Sequence, residues 1–151
     1  MDEIRIQAKP FDIQEEQQAL LGDRPQVGAM VSFLGLMRDF NEGDRVQRMF
    51  LEHYPGMTEK ALAAIAEEAK QRWEIQGLRI VHRVGTLSPQ DPIVWVAVIA
   101  THRNEAFRAC EFLIDYLKTQ APFWKKEITD RGDRWVEARA GDARAAERWT
   151  R

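Results

Sequence analysis

Lys118 and Lys125 stand seven residues apart on either side of Pro122, in the stretch Asp115-Tyr-Leu-Lys-Thr-Gln-Ala-Pro-Phe-Trp-Lys-Lys-Glu127. Apolar periodicity ahead of the proline predicts a helix. Pro122 removes a backbone donor and pushes Ala121 out of the helical region, so that helix stops near Gln120. Lys118 then falls in its last turn and Lys125 just beyond the break, an arrangement from which two ammonium groups can converge on one ligand. The plainer reading is that a lysine in a last turn complements the helix dipole. From this stretch alone both readings stand.

Other candidates lie where strands hand over to loops or helices. Residues 93 to 100 are apolar at every position, as in a central strand buried on both faces. Thr101-His102-Arg103 follows directly, and Asn104 suits the N-cap of the helix to Gln120. A His-Arg pair there meets backbone amides and a helix dipole that favour an anion, and the guanidinium fork of Arg103 matches a phosphate. Strand capping by His102 and a surface ion pair at Arg103 is the alternative. Arg38 opens the polar loop to Asp44 after a strand over 27 to 36, where rigid scaffolds present functional groups; a solvated arginine would look the same. Arg139 follows a further strand near 134 to 138.

These cations belong to a chain of 151 residues with 22 basic and 24 acidic side chains. That length suits one domain over 1–151, able to bury roughly two thirds of its unfolded surface. The near balance of charge gives no global pull toward nucleic acid or a membrane, so an anion site must be local. No apolar run reaches the ~20 residues of a membrane span, and Met-Asp-Glu-Ile-Arg lacks the pattern of a secretory leader, so the expectation is cytoplasmic. One cysteine, Cys110, excludes an internal disulfide, and His53, His82 and His102 lack metal-motif spacing. Cys110 falls in the apolar stripe Ala106, Cys110, Leu113, Leu117, with Phe107 and Ile114 alongside, and reads as a core residue rather than a nucleophile. Glu67 and Glu68 read as a solvated helix face.

The elements that must position the candidates follow from local signals. Alternation over 3 to 8 predicts a strand, and Asp12 with Glu15 predicts a helix over 13 to 21 that Gly22 ends. Residues 46 to 54 read as a strand turned by Pro55-Gly56 into a helix over 58 to 73 with Thr58 as N-cap, and Gly77 closes that element. Residues 78 to 84 and 93 to 101 are strands joined by a hairpin-like link. A strand over 123 to 127 pairs with 134 to 138 through the turn between them, and 142 to 149 suits a short terminal helix. The fold class is α+β: a mixed sheet covered by two main helices, with a smaller additional β region, hammerhead-like, near the ends of the chain. A set of cations with no protein nucleophile points to an anionic small molecule. A lysine set among other cations loses its proton more readily and can serve in acid–base work. A non-catalytic module that binds a phosphorylated metabolite or a protein C-terminus accounts for the cations as well.

At five segments the chain resembles the catalytic large subunit of molybdopterin synthase: residues 51–61, Val81-His-Arg-Val-Gly85, Ala100-Thr-His-Arg103, the Asp115 to Glu127 stretch, and residues 132–139, in that order. The resemblance spans about Val27 to Arg139. It implies a dimer of this chain with a small ubiquitin-like sulfur-carrier subunit at each outer end, whose C-terminal Gly-Gly thiocarboxylate supplies the missing nucleophile. The implied substrate is cyclic pyranopterin monophosphate, converted by two sulfur transfers to the dithiolene of molybdopterin, with no cofactor or metal. Lys118 and Lys125 would be the catalytic residues. The implied substrate-binding set is Met37, Arg38, His102, Arg103, Lys118, Lys125, Lys126, Glu127 and Arg139. Alignment through Pro122-Phe-Trp favours Lys125 over Lys126 as the lysine that faces the substrate.

Overall fold

A strand with no polar face has to be covered on both sides, and the computed structural model, which describes residues 2–41, 43–136 and 140–150, shows what covers it. In chain order, β1 (Glu3–Gln7) leads to α1 (Ile13–Leu21), β2 (Ala29–Leu36), the two-residue β3 (Phe40–Asn41) and β4 (Asp44–His53). Next come α2 (Met57–Arg72), β5 (Gly77–Arg83), β6 (Gly85–Leu87) and β7 (Pro92–Ala100). The chain ends with α3 (Arg103–Gln120), β8 (Phe123–Thr129), β9 (Gly132–Val136) and α4 (Ala140–Glu147). The architecture is α+β.

The first sheet has the order β1-β5-β7-β2, with β1 parallel to β5 and the other pairings antiparallel, so it is mixed. Period-two alternation sends Val94, Val96, Val98 and Ala100 of β7 toward α2 and α3, and Trp95, Ala97 and Ile99 toward Leu20 of α1. On β5 the same parity puts Leu78 and Ile80 in the α2–α3 layer and Arg79 under α1, where it pairs with the buried Glu16 at 2.7 Å. His82 shares the parity of Leu78 and Ile80. Among the described residues no helix is long and apolar enough to cross a membrane.

The second sheet has the order β3-β4-β8-β9, with β6 also paired to β4. It draws on the middle and the end of the chain. The link between β5 and β7 is therefore more than a hairpin turn, because β6 leaves the first sheet to pair with Met49, Phe50 and Leu51 of β4. A bulge between Val46 and Arg48 lets both Gln47 and Arg48 face out while Val46, Met49 and Leu51 stay buried. These three pack with Met37 and Leu87.

Three local expectations shift. Thr58 is not the N-cap of α2: Gly56, at φ 86°, holds that position, and its N–H donates to Glu59 Oε1 at 3.0 Å. The N-cap of α3 falls two residues early, at His102 rather than Asn104, with no side-chain cap bond. Phe107 is 57% exposed, whereas Phe112 is fully buried, because α2 packs on that flank and brings the Trp73 ring to 5.3 Å from Phe112. Asp12 caps α1 through Glu15 N–H at 3.1 Å, and Gly22 ends it, as expected.

Candidate active site

Register decides which lysine enters the site. β8 runs antiparallel to β4 and opposes Leu51 to Lys125, Phe50 to Lys126 and Met49 to Glu127. Opposed residues share a face of a sheet and successive residues alternate. Met49 and Leu51 are buried and Phe50 is exposed, so Lys125 and Glu127 turn inward and Lys126 outward. Lys126 lies 3.8 Å from Asp133 and 5.9 Å from the centroid of Trp135.

The inward face borders a cavity of about 460 Å³ between the two sheets. At Ala121 the backbone turns extended, φ −86° and ψ 134°, as a residue before proline should. Thr58, fully buried, donates its hydroxyl to the Pro122 carbonyl at 3.1 Å and accepts the Tyr54 N–H at 2.9 Å, which ties the start of α2 to the break after α3. Lys118 on the last turn of α3 and Lys125 on β8 both line the cavity. Arg38 and Met37 line it from the end of β2. Met37 is 4% exposed, with its N–H on Asp91 O and its own carbonyl accepting from Gln90 N, so Arg38 projects from an anchored residue.

Glu127 also lines the cavity, but its carboxylate is engaged: its two oxygens accept from Asn41 Nδ2, at 3.1 and 3.0 Å, and Oε1 accepts from Arg134 Nε at 3.2 Å. Arg134 goes on to Asp44 Oδ2 and to the Asn41 carbonyl. Glu127 thereby ties β3, near Arg38 in sequence, to β8 and β9 across the second sheet. His102 and Arg103 do not line this cavity. They are exposed at the opposite end of α3, fifteen residues or about 22 Å from Lys118 along the axis. Arg139 lies outside the described residues.

Sequence reasoning passed over His82. It lines the cavity, is 4% exposed and stacks on Phe123 with ring centroids 3.9 Å apart. Burial pushes its pKa down to about 4; the bond to the Arg83 carbonyl opposes this, while the charges of Lys118, His53 and Lys125 add to it. The available signal was a lone histidine in the otherwise core-forming parity of 78 to 82. Cys110 is inert as expected: it is buried, its thiol pKa is pushed up to about 12 by burial, and Sγ lies 3.8 Å from the Val96 carbonyl. Among the described residues no cluster of His, Cys, Asp or Glu could hold a metal ion.

Fold and site together define an α+β domain with an anion-receptive cleft, walled by two lysines and an arginine and lacking a nucleophile among the described residues that line it. A family model described as MoaE protein matches residues 6–120. The chain is 57% identical over 149 residues to the molybdopterin synthase catalytic subunit of Ralstonia nicotianae, covering 99% of this chain and 85% of that one. It is 52% identical over 146 residues to the molybdopterin synthase catalytic subunit of Escherichia coli, covering 97% of each. A solved structure, the molybdopterin biosynthesis MoaE protein from Burkholderia ambifaria, superposes with a TM-score of 0.85 at 54% identity, over 99% of this chain and 98% of that one. The chain belongs to the MoaE family of molybdopterin synthase catalytic subunits.

Proposed function

We propose that this chain, working as a single cytoplasmic domain within a dimer of itself, is the sulfurtransferase subunit that makes molybdopterin from cyclic pyranopterin monophosphate. The sulfur donor is the C-terminal thiocarboxylate of a small ubiquitin-like carrier subunit. One observation carries the reading: Lys118 and Lys125, separated by the Pro122 break, line one cleft together with Arg38, and the described residues around it include no thiol or activated hydroxyl. Such a cleft favours phosphate and developing oxyanions but leaves the attacking atom to be supplied from outside.

In this scheme carrier sulfur attacks a side-chain carbon of the pterin, the cyclic phosphate opens, and water then cleaves the acyl–sulfur bond to return the carrier as a carboxylate. A second carrier repeats the transfer. Arg38 neutralises phosphate, Lys118 and Lys125 stabilise oxyanions or move protons, and Met37 and Glu127 shape the wall that presents Arg38. His102 and Arg103 cannot reach the same cleft within one chain, so the proposal assigns them to the cleft of the second copy. Arg139 is retained on its motif, and Lys126, on the outer face of β8, is assigned a place beside the cleft rather than on the reacting atoms.

The test is reconstitution. The purified chain, mixed with thiocarboxylated carrier and the cyclic precursor, should yield the dithiolene and release carrier ending in a carboxylate. Precursor binding without sulfur transfer would overturn the catalytic reading in favour of a binding module.

A further inference from the structure

His82 is held in one tautomer. Its Nδ1 lies 2.7 Å from the Arg83 carbonyl, an acceptor only, so Nδ1 carries the hydrogen. One ring face is occupied by Phe123. Nε2 is the polar atom left, and it meets no hydrogen-bond partner among the described residues while the side chain lines the cavity. His82 thus offers the cavity a ring acceptor that its packing against Phe123 does not use.

The surroundings keep this ring neutral. Burial disfavours an imidazolium most, and the charges of Lys118 on α3, His53 on β4 and Lys125 on β8 add to it. The neighbouring Arg83 is committed to the Ala8 carbonyl at 3.2 and 3.0 Å. Glu127, one of the two acids of this wall, is engaged by Asn41 and Arg134. Lysine and arginine are donors only. A ligand held here by its anionic part finds, beside the cations and the Asp142 carboxylate at the cavity wall, an uncharged ring acceptor.

Resting on the function proposed above, we infer that His82 is a substrate-binding, specificity-determining residue: its Nε2 accepts a hydrogen bond from an N–H or O–H group of a phosphorylated heterocycle whose phosphate is held by Arg38 and the lysines. The cleft would then select on two features, an anion and a donor at a set distance from it. Phosphate alone satisfies one of them.

Asparagine and glutamine separate the two nitrogens. The shorter amide of His82→Asn extends only as far as the Nδ1 position, whereas the longer amide of His82→Gln restores an acceptor near Nε2. Binding of a pterin with a phosphorylated side chain, and of inorganic phosphate, is measured by calorimetry on the full chain. His82→Asn should weaken the pterin about tenfold, the worth of one buried hydrogen bond, and leave phosphate unchanged; His82→Gln should recover most of the loss. Equal weakening by both variants, parallel weakening of phosphate, no effect, or no pterin binding by the unsubstituted chain overturns the inference. Should His82→Asn not fold, nitrogen-15 spectra of the unsubstituted chain decide: a neutral Nδ1–H ring whose Nε2 signal moves with the pterin and not with phosphate supports it, and an imidazolium or Nε2–H ring refutes it. Failure of sulfur transfer with pterin binding intact would count against the proposed function and leave this inference standing.

Discussion

Replacing Thr58 with valine should loosen the hinge between Lys118 and Lys125. Valine keeps the shape of threonine and removes one hydroxyl, which here both donates to the Pro122 carbonyl at 3.1 Å and accepts the Tyr54 N–H at 2.9 Å. Each of those backbone groups would lose its partner, and an unsatisfied group costs about 1–3 kcal/mol. Because water reaches part of this region, the lower end applies, giving roughly 2–4 kcal/mol for the pair. For a chain of this size each kcal/mol moves Tm by about 2–4 °C, so the expected drop is on the order of 5–15 °C. Thr58→Ser, which keeps the hydroxyl, should lose only the packing of one methyl group, about 1 kcal/mol. Urea denaturation of the three proteins measures the differences, and sulfur-transfer assays run well below the melting range should show Thr58→Val slowed beyond its loss of folded protein. If Thr58→Val matches Thr58→Ser in stability and both match the unsubstituted chain in turnover, the hydroxyl does not hold the break and the reasoning fails.

Acidification provides another check, through His82. Its folded pKa of about 4 lies below the ordinary 6.5, so its contribution to stability is complete above pH 6.5 and is lost as pH falls toward 4. The loss amounts to about 3 kcal/mol, and His82→Gln should lack that part of the pH dependence in urea titrations at pH 7 and pH 4; parallel curves would contradict it. Sheet parity predicts that Lys125→Ala abolishes most turnover while Lys126→Ala loses less than about tenfold, a comparison read from initial rates. Cys110→Ala should retain sulfur transfer, and native Cys110 should resist thiol reagents until the protein unfolds, as mass spectrometry before and after denaturant would show.

Local chemistry made several features legible in advance. The stop at Gln120 follows from Pro122, the central position of β7 from its unbroken apolar run, and the cap of α1 from Asp12. Features that depend on long-range pairing were not accessible in the same way. Nothing near Lys125 and Lys126 states which faces inward; that is set by register against β4, more than seventy residues earlier, on a strand whose own alternation is shifted by a bulge. His102 and Arg103 carry a sound local signal for an anion, yet the length of α3 removes them from the cleft that holds Lys118. Thr58 looked like a cap because threonine commonly is one, but Gly56 tolerates the positive φ that the turn after Pro55 requires, which frees the Thr58 hydroxyl for a distant carbonyl. His82 escaped notice because a histidine within a core-facing strand differs from its neighbours only once the cavity beside it is known.

The central claim is that Lys118 and Lys125 serve one cleft and one reaction. Single-turnover sulfur transfer from thiocarboxylated carrier to the cyclic precursor, compared for Lys118→Ala, Lys125→Ala and the double variant, tests it most directly. Groups that act as a unit are strongly non-additive, so each single variant should lose most of the rate while binding carrier normally, and the double variant should be little worse than the poorer single one. Full turnover by either single variant, or losses that simply multiply in the double variant, would contradict the account.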